Sequence, residues 1–197
     1  MLERVVAADP EGGTMAIDQE NPVKAEQLRT AKTYAEFLDW AKPELRERFQ
    51  SHEAEIEISG ERTSKFRDIR SSGGFQVVLL GEDWCPDVQR TLPLLKGVTK
   101  ATGWDLKVLR RDENTDVMDR FPARGDIPRI PTVLFLEPDT LELHSVWIER
   151  PQIAHEQTTA YQDQTPEAER DMQSFHWDHR QEWRDATLSE WVKLISD

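Results

Sequence analysis

The sequence predicts an α/β fold on two observations. Short apolar runs rich in β-branched and aromatic residues recur at 75–80, 132–136 and 143–148, and between the first of these and a further alternating segment lies a stretch of helical periodicity. Phe75–Leu80 follows Gly73 and Gly74 and is ended by Gly81, as expected of a strand covered on both faces. Leu92, Leu95 and Val98 then recur at helical spacing as far as Gly103. Trp104–Leu109 alternates as a second strand, Thr115–Phe121 fits a short helix, and Thr132–Leu136 is a third strand. Leu143–Ile148 follows a turn at Pro138 and Asp139, which makes it an antiparallel hairpin partner of the third strand.

The flanks read differently. From Pro22 to about Phe49, Leu28, Ala31, Tyr34, Leu38 and Ala41 recur at helical spacing, Thr33 and Glu36 form a capping box, and Pro43 marks a break or a new first turn. Glu55–Ile58 alternates briefly before Gly60, a strand-like pattern. Residues 1–21 mix proline and glycine with acidic side chains and read as a mobile tail, so the expected single domain spans 22–197, with a helical extension at 22–72, a core at 73–150 and C-terminal helices at 151–197. Past Pro151 a polar connection leads to helices. Thr165 and Pro166 read as a helix start, Met172, Phe175, His176, His179 and Trp183 share a helical face, and Thr187 with Glu190 reads as a second capping box.

Composition narrows the function. The chain has 197 residues, 25 Lys and Arg against 38 Asp and Glu, and a net charge of −13. Such a charge repels phosphate backbones and anionic lipid, and no basic cluster overrides it, so neither nucleic acid nor a membrane is an expected partner. Seven Trp and seven Phe supply the burial that only 37% hydrophobic residues would otherwise leave thin. No apolar run approaches a membrane span or a signal-peptide core, so a cytoplasmic location is the expectation. A single cysteine, Cys85, excludes an internal disulfide and a four-cysteine zinc site. His176 and His179, with Glu182 beyond, have metal-ligand spacing but no third committed ligand, and such a pair more often packs at a core margin. Phosphate-loop, dinucleotide and nucleophile-elbow motifs are absent; no metal and no cofactor is expected.

What remains is Cys85, placed where the first strand feeds a helix within Trp84-Cys85-Pro86-Asp87-Val88. A cysteine there faces unpaired backbone N–H groups and the positive end of the helix dipole, which stabilise a thiolate, and Pro86 suits the first helical position. Glu82, Asp83 and Asp87 oppose this by like charge, with Arg90 and Arg129 as the nearby cations, and the sign of the net shift stays open.

Together with Asp112-Glu113-Asn114 after the second strand and Arg129-Ile130-Pro131-Thr132 opening the third, this motif resembles the thioredoxin superfamily over about residues 73 to 150. The resemblance implies a thioredoxin-like fold with a cis proline at Pro131 facing Cys85. It also implies a docking ledge at Ile130 and Pro131, flanked by Trp84 and Pro86, where free backbone pairs with a partner. Two departures bear on chemistry: Val88 stands where a second cysteine would be, and Leu79 where a buried aspartate commonly assists it. Two functions are expected. Cys85 either exchanges with protein disulfides as a lone thiol that a low-molecular-weight thiol releases, or sits in a non-catalytic protein-binding module. Trp84 and Pro131 also have purely structural readings, as a packing residue and a strand-entry proline.

Overall fold

The computed structural model describes residues 21–69, 73–123 and 127–196, so the expected tail at 1–21 lies, apart from Asn21, outside the described residues. Four strands, β1 (Gln76–Gly81), β2 (Asp105–Arg110), β3 (Thr132–Leu136) and β4 (Leu143–Ile148), form one sheet in the order β2-β1-β3-β4. β1 pairs parallel with β2 and antiparallel with β3, and β4 pairs antiparallel with β3. A parallel pair needs a crossover, and α5 (Pro86–Thr102) supplies it. Val77–Leu80 on β1 and Val133–Leu136 on β3 are almost wholly buried, as their continuous apolar character predicts.

Register decides what meets at one end of the sheet. Gly81 at the end of β1 pairs with Arg110 at the end of β2, Leu80 pairs with Thr132 at the start of β3, and Thr132 pairs with Ile148 at the end of β4. The strand ends that lead to Cys85, Arg111, Pro131 and Arg150 are therefore gathered at that one end.

The N-terminal pattern resolves into α1 (Ala25–Thr30), α2 (Tyr34–Trp40) and α3 (Pro43–Ala54). Thr33 caps α2 with the reciprocal Glu36 contacts its sequence predicts, and Pro43 occupies the first turn of α3. Between α1 and α2, Lys32 exchanges two backbone hydrogen bonds with Val108, at 2.9 and 2.8 Å, covering part of the outer edge of β2. Glu55–Ile58 is not a strand. Ile56 and Ile58 instead pack over Gly97 of α5, where an added Cβ would lie 2.9 Å from Ile56 Cγ2. The next segment, α4 (Gly60–Ile69), is a helix that the sequence reading missed; it buries Phe66 edge-on against Trp104.

The helix expected at Thr115–Phe121 is the single turn α6 (Thr115–Met118). At the C-terminus, the expected polar connection is largely the helix α7 (Gln152–Gln164), whose buried face of Ala154, His155 and Thr158 shows no apolar stripe. Thr165 ends that helix rather than starting one; Asp171 caps α8 (Met172–Asp178), accepting a hydrogen bond from the Ser174 N–H. No capping box breaks α9 (Arg180–Ser196), because the Thr187 hydroxyl donates back to the Trp183 carbonyl at 2.7 Å within one continuous helix. α9 covers β4 through Trp191, edge-on to Trp147 at 5.6 Å, and half-buried Glu190 accepts from both the Trp147 indole and the Gln152 N–H at 2.8 Å.

Because Gly97 leaves room for Ile56, Gly97→Leu should destabilise the fold by about 2 kcal/mol despite the better helix propensity of leucine. Urea unfolding measures it, and an unchanged midpoint would contradict the packing.

Candidate functional site

Cys85 is the N-cap of α5, a 17-residue helix with Pro86 in its first turn. The side chain is 7% exposed, and its Sγ lies 3.6 Å from the Ile130 carbonyl, which accepts the thiol. The Ile130–Pro131 peptide bond is cis, as the resemblance implies. The antiparallel register of β1 and β3 accounts for this meeting of segments 45 residues apart. Trp84, 51% exposed, and Pro86 reach solvent, whereas Ile130 and Pro131 are buried, so an approaching molecule meets Trp84 and Pro86 first.

The ledge is less open than the resemblance implies. The Pro131 carbonyl already accepts the Glu149 N–H at 2.7 Å, and the Ile130 carbonyl accepts the Cys85 thiol. Glu149 makes this bond from the left-handed region, at φ 68°, a conformation uncommon outside glycine.

The three acids near Cys85 are all committed. Buried Glu82 accepts from the Asp112 N–H at 3.1 Å and from the Arg110 guanidinium at 3.3 and 3.4 Å. Arg110 also lies over the Trp40 ring. Asp83 accepts the Lys42 N–H at 3.1 Å, while its carbonyl holds the Gln89 amide at 2.8 Å. Asp87 is shared by Arg90 and by Arg150, whose Nη2 lies 2.6 Å away. Arg150, placed by the end of β4, is the cation that the sequence did not reveal; nothing in a linear reading brings position 150 to position 87.

The net shift of the thiol is upward. Burial pushes the Cys85 thiol above its ordinary value, and the Asp87 charge adds to this; the Val88 and Asp87 N–H groups and Arg90 pull the other way without overcoming it. Arg129 is not among the leading contributors at the sulfur. Val88, fully buried at the position of a second thiol, packs where Gly81 lacks a side chain: a Cβ there would lie 2.7 Å from Val88 Cγ2. Leu79 is buried as well.

His176 and His179 do not converge on a metal. His176 Nδ1 faces Arg90 at 3.4 Å, and His179 Nδ1 contacts the Phe175 carbonyl at 2.8 Å. Among the described residues no group of three or more His, Cys, Asp or Glu is arranged to hold a metal ion, and no helix is long and apolar enough to cross a membrane.

A lone cysteine capping the helix that leaves the central strand, set against a cis-proline loop opening the neighbouring antiparallel strand, defines a thioredoxin-like protein with a single-thiol site. The chain belongs to the thioredoxin family: the family model described as Thioredoxin matches residues 31–165. Among solved structures it is similar to a protein of unknown function from Pseudomonas aeruginosa, with 17% identity and a TM-score of 0.66 over 87% of this chain and 95% of that one. It is also similar to an HIV epitope-scaffold, with 18% identity and a TM-score of 0.64 over 87% of this chain and 96% of that one. These likenesses concern the fold. No curated protein matches the chain.

Since the Asp87 charge raises the thiol, Asp87→Asn should shift the midpoint of the Cys85 alkylation rate to lower pH, and the released Arg90 and Arg150 act in the same direction. A midpoint that stays put or rises would remove Asp87 from the account. Val88→Cys, one helical turn from Cys85, should close an internal disulfide under mild oxidation; two titratable thiols remaining in that variant would contradict the placement of Val88.

Proposed function

We propose that this protein carries out thiol–disulfide exchange through Cys85 alone, with an external low-molecular-weight thiol completing each cycle. The observation that carries this reading is the seating of Sγ at the N-terminus of a long helix and against the Ile130 carbonyl, beside exposed Trp84. Cys85 first loses its proton to solvent. The thiolate attacks one sulfur of a partner's disulfide, forming a Cys85–partner disulfide and expelling the partner's other sulfur as a thiolate, which takes up a proton. Buried Val88 offers no internal attack, so a small thiolate must attack Cys85 Sγ and expel the partner's remaining sulfur. A second small thiol then regenerates Cys85 and leaves as the oxidised small disulfide. The net reaction turns one protein disulfide and two small thiols into two protein thiols and one small disulfide. Trp84 and Pro86 would meet the partner, with Ile130 and Pro131 forming the ledge behind them. This chemistry suits a reducing, cytoplasmic setting.

A second reading, a non-catalytic binding module that uses the same ledge, is favoured by the raised thiol and by Val88. The raised thiol also makes exchange slow at neutral pH, because only the thiolate attacks.

Iodoacetamide labelling of the folded protein across pH, followed by intact mass, separates the two. For the exchange reading, labelling climbs with pH to a midpoint above the ~8.5 of a free thiol. In addition, a small disulfide adds to Cys85, is released by added thiol, and fails to add to Cys85→Ser. A thiol that stays unlabelled until the chain unfolds would leave only the binding module.

A further inference from the structure

An open groove of about 660 Å³ lies between α3, the first turns of α5, and α8, a volume within the range of small-molecule sites. Its wall begins at Pro86, the residue joined to Cys85, and continues through Arg90 to Arg48 and His52 on α3 and to His176 and Trp177 on α8. α8 lies beyond residues 31–165, so its side of the groove is not part of the matched family segment, whereas the α3 and α5 sides are.

Two arginines and one aspartate line the groove, in a protein whose net charge is −13. Arg48 is exposed and makes no ion pair with a described residue, and Arg90 stands behind it between Asp87 and His176. Both imidazoles are neutral at physiological pH, because burial and then Arg90 lower each to about 4. Asp171 is the acid among the lining residues, and its Oδ1 already accepts the Ser174 N–H at 3.0 Å. His176 Nε2 is buried without a hydrogen-bond partner and lies beneath the groove surface. Trp177, 42% exposed, offers a flat apolar wall, with Arg180 over its ring at 4.0 Å.

We propose that this groove binds the small thiol that releases Cys85, and that this thiol bears a carboxylate: Arg48 takes the carboxylate, and Trp177 and Pro86 the apolar body. The inference rests on the exchange reading above and adds the site and the charge of the co-reactant. With the carboxylate held at Arg48, the sulfur points along the groove toward Pro86 and its neighbour Cys85. The bound thiolate attacks Cys85 Sγ of the mixed disulfide, a new S–S bond forms to the small thiol, and the partner's sulfur leaves as a thiolate that is protonated by water. A second copy of the small thiol attacks the first copy's sulfur, frees the Cys85 thiolate and leaves as the small disulfide.

The test uses three small disulfides, dithiodipropionate, hydroxyethyl disulfide and cystamine, with anionic, neutral and cationic ends. At low ionic strength a net charge of −13 by itself makes cystamine the fastest to add to Cys85 and dithiodipropionate the slowest. The groove reverses this order, with dithiodipropionate adding roughly tenfold faster than hydroxyethyl disulfide, a local steering effect at the low end of what charged clefts provide. Arg48→Glu restores the order set by net charge. If the wild type already follows net charge, the groove proposal is overturned while exchange stands, since Cys85 still reacts. If Cys85 reacts with none of the three, the exchange reading fails, and binding to Cys85→Ser decides the groove. Saturable quenching of tryptophan fluorescence by dithiodipropionate, lost in Arg48→Glu and in Trp177→Phe, supports it; no saturable quenching overturns it.

Discussion

The site depends on the register of β1. Because β1 runs parallel to β2 and antiparallel to β3, its final residues Leu80 and Gly81 lie beside the end of one neighbour and the start of the other. One extra residue in either pairing would turn the alternate side chains of a strand to the opposite face. Here both faces of β1 are buried, so a slip would force repacking on both sides of the sheet. The core thus fixes where Cys85, Ile130 and Arg150 lie, and the hydrogen bonds at the site refine a placement set by apolar burial.

On that frame burial, and after it the polar residues, bear on the state of the sulfur. Each nearby carboxylate has partners: Glu82 with Arg110 and Asp112, Asp83 with Lys42, Asp87 with Arg90 and Arg150. These are buried, hydrogen-bonded charges of the kind that cost much if a partner is removed and supply little net stability if all are present. They hold the turn into α5 in shape. The helix N-terminus favours the thiolate, but 7% exposure and a neighbouring aspartate outweigh it, so the thiol is less acidic than its position on the helix would suggest.

The sheet was legible because its strands are short apolar runs bounded by glycine and proline, and because Thr33 and Glu36 announce α2 by a contact between residues three apart. The meeting of Cys85 with Ile130 followed from resemblance to a family rather than from periodicity. Helices without a clean apolar stripe were harder. α4 buries a single phenylalanine and α7 buries Ala154, His155 and Thr158, so neither shows the pattern that marks an amphipathic helix. Thr165 and Thr187 mimic capping residues in a linear reading, yet one follows a helix and the other lies within one. Arg150 and Arg48 were missed because their roles come from strand register and helix packing, which bring together positions more than thirty residues apart.

Glu149 leaves β4 in a left-handed conformation that tolerates no easy relaxation, and its N–H holds the Pro131 carbonyl while the next residue reaches Asp87. The last turn of the edge strand is thus a clasp joining both walls of the thiol's niche. α9 is fastened to the same strand by Trp191 and Glu190, so the tail end of the chain and the reactive atom share one mechanical linkage. α9 also packs directly on the cysteine's own helix, where Arg90 lies over the Trp183 ring at 5.3 Å, so the C-terminal helix braces the niche both through the edge strand and through α5.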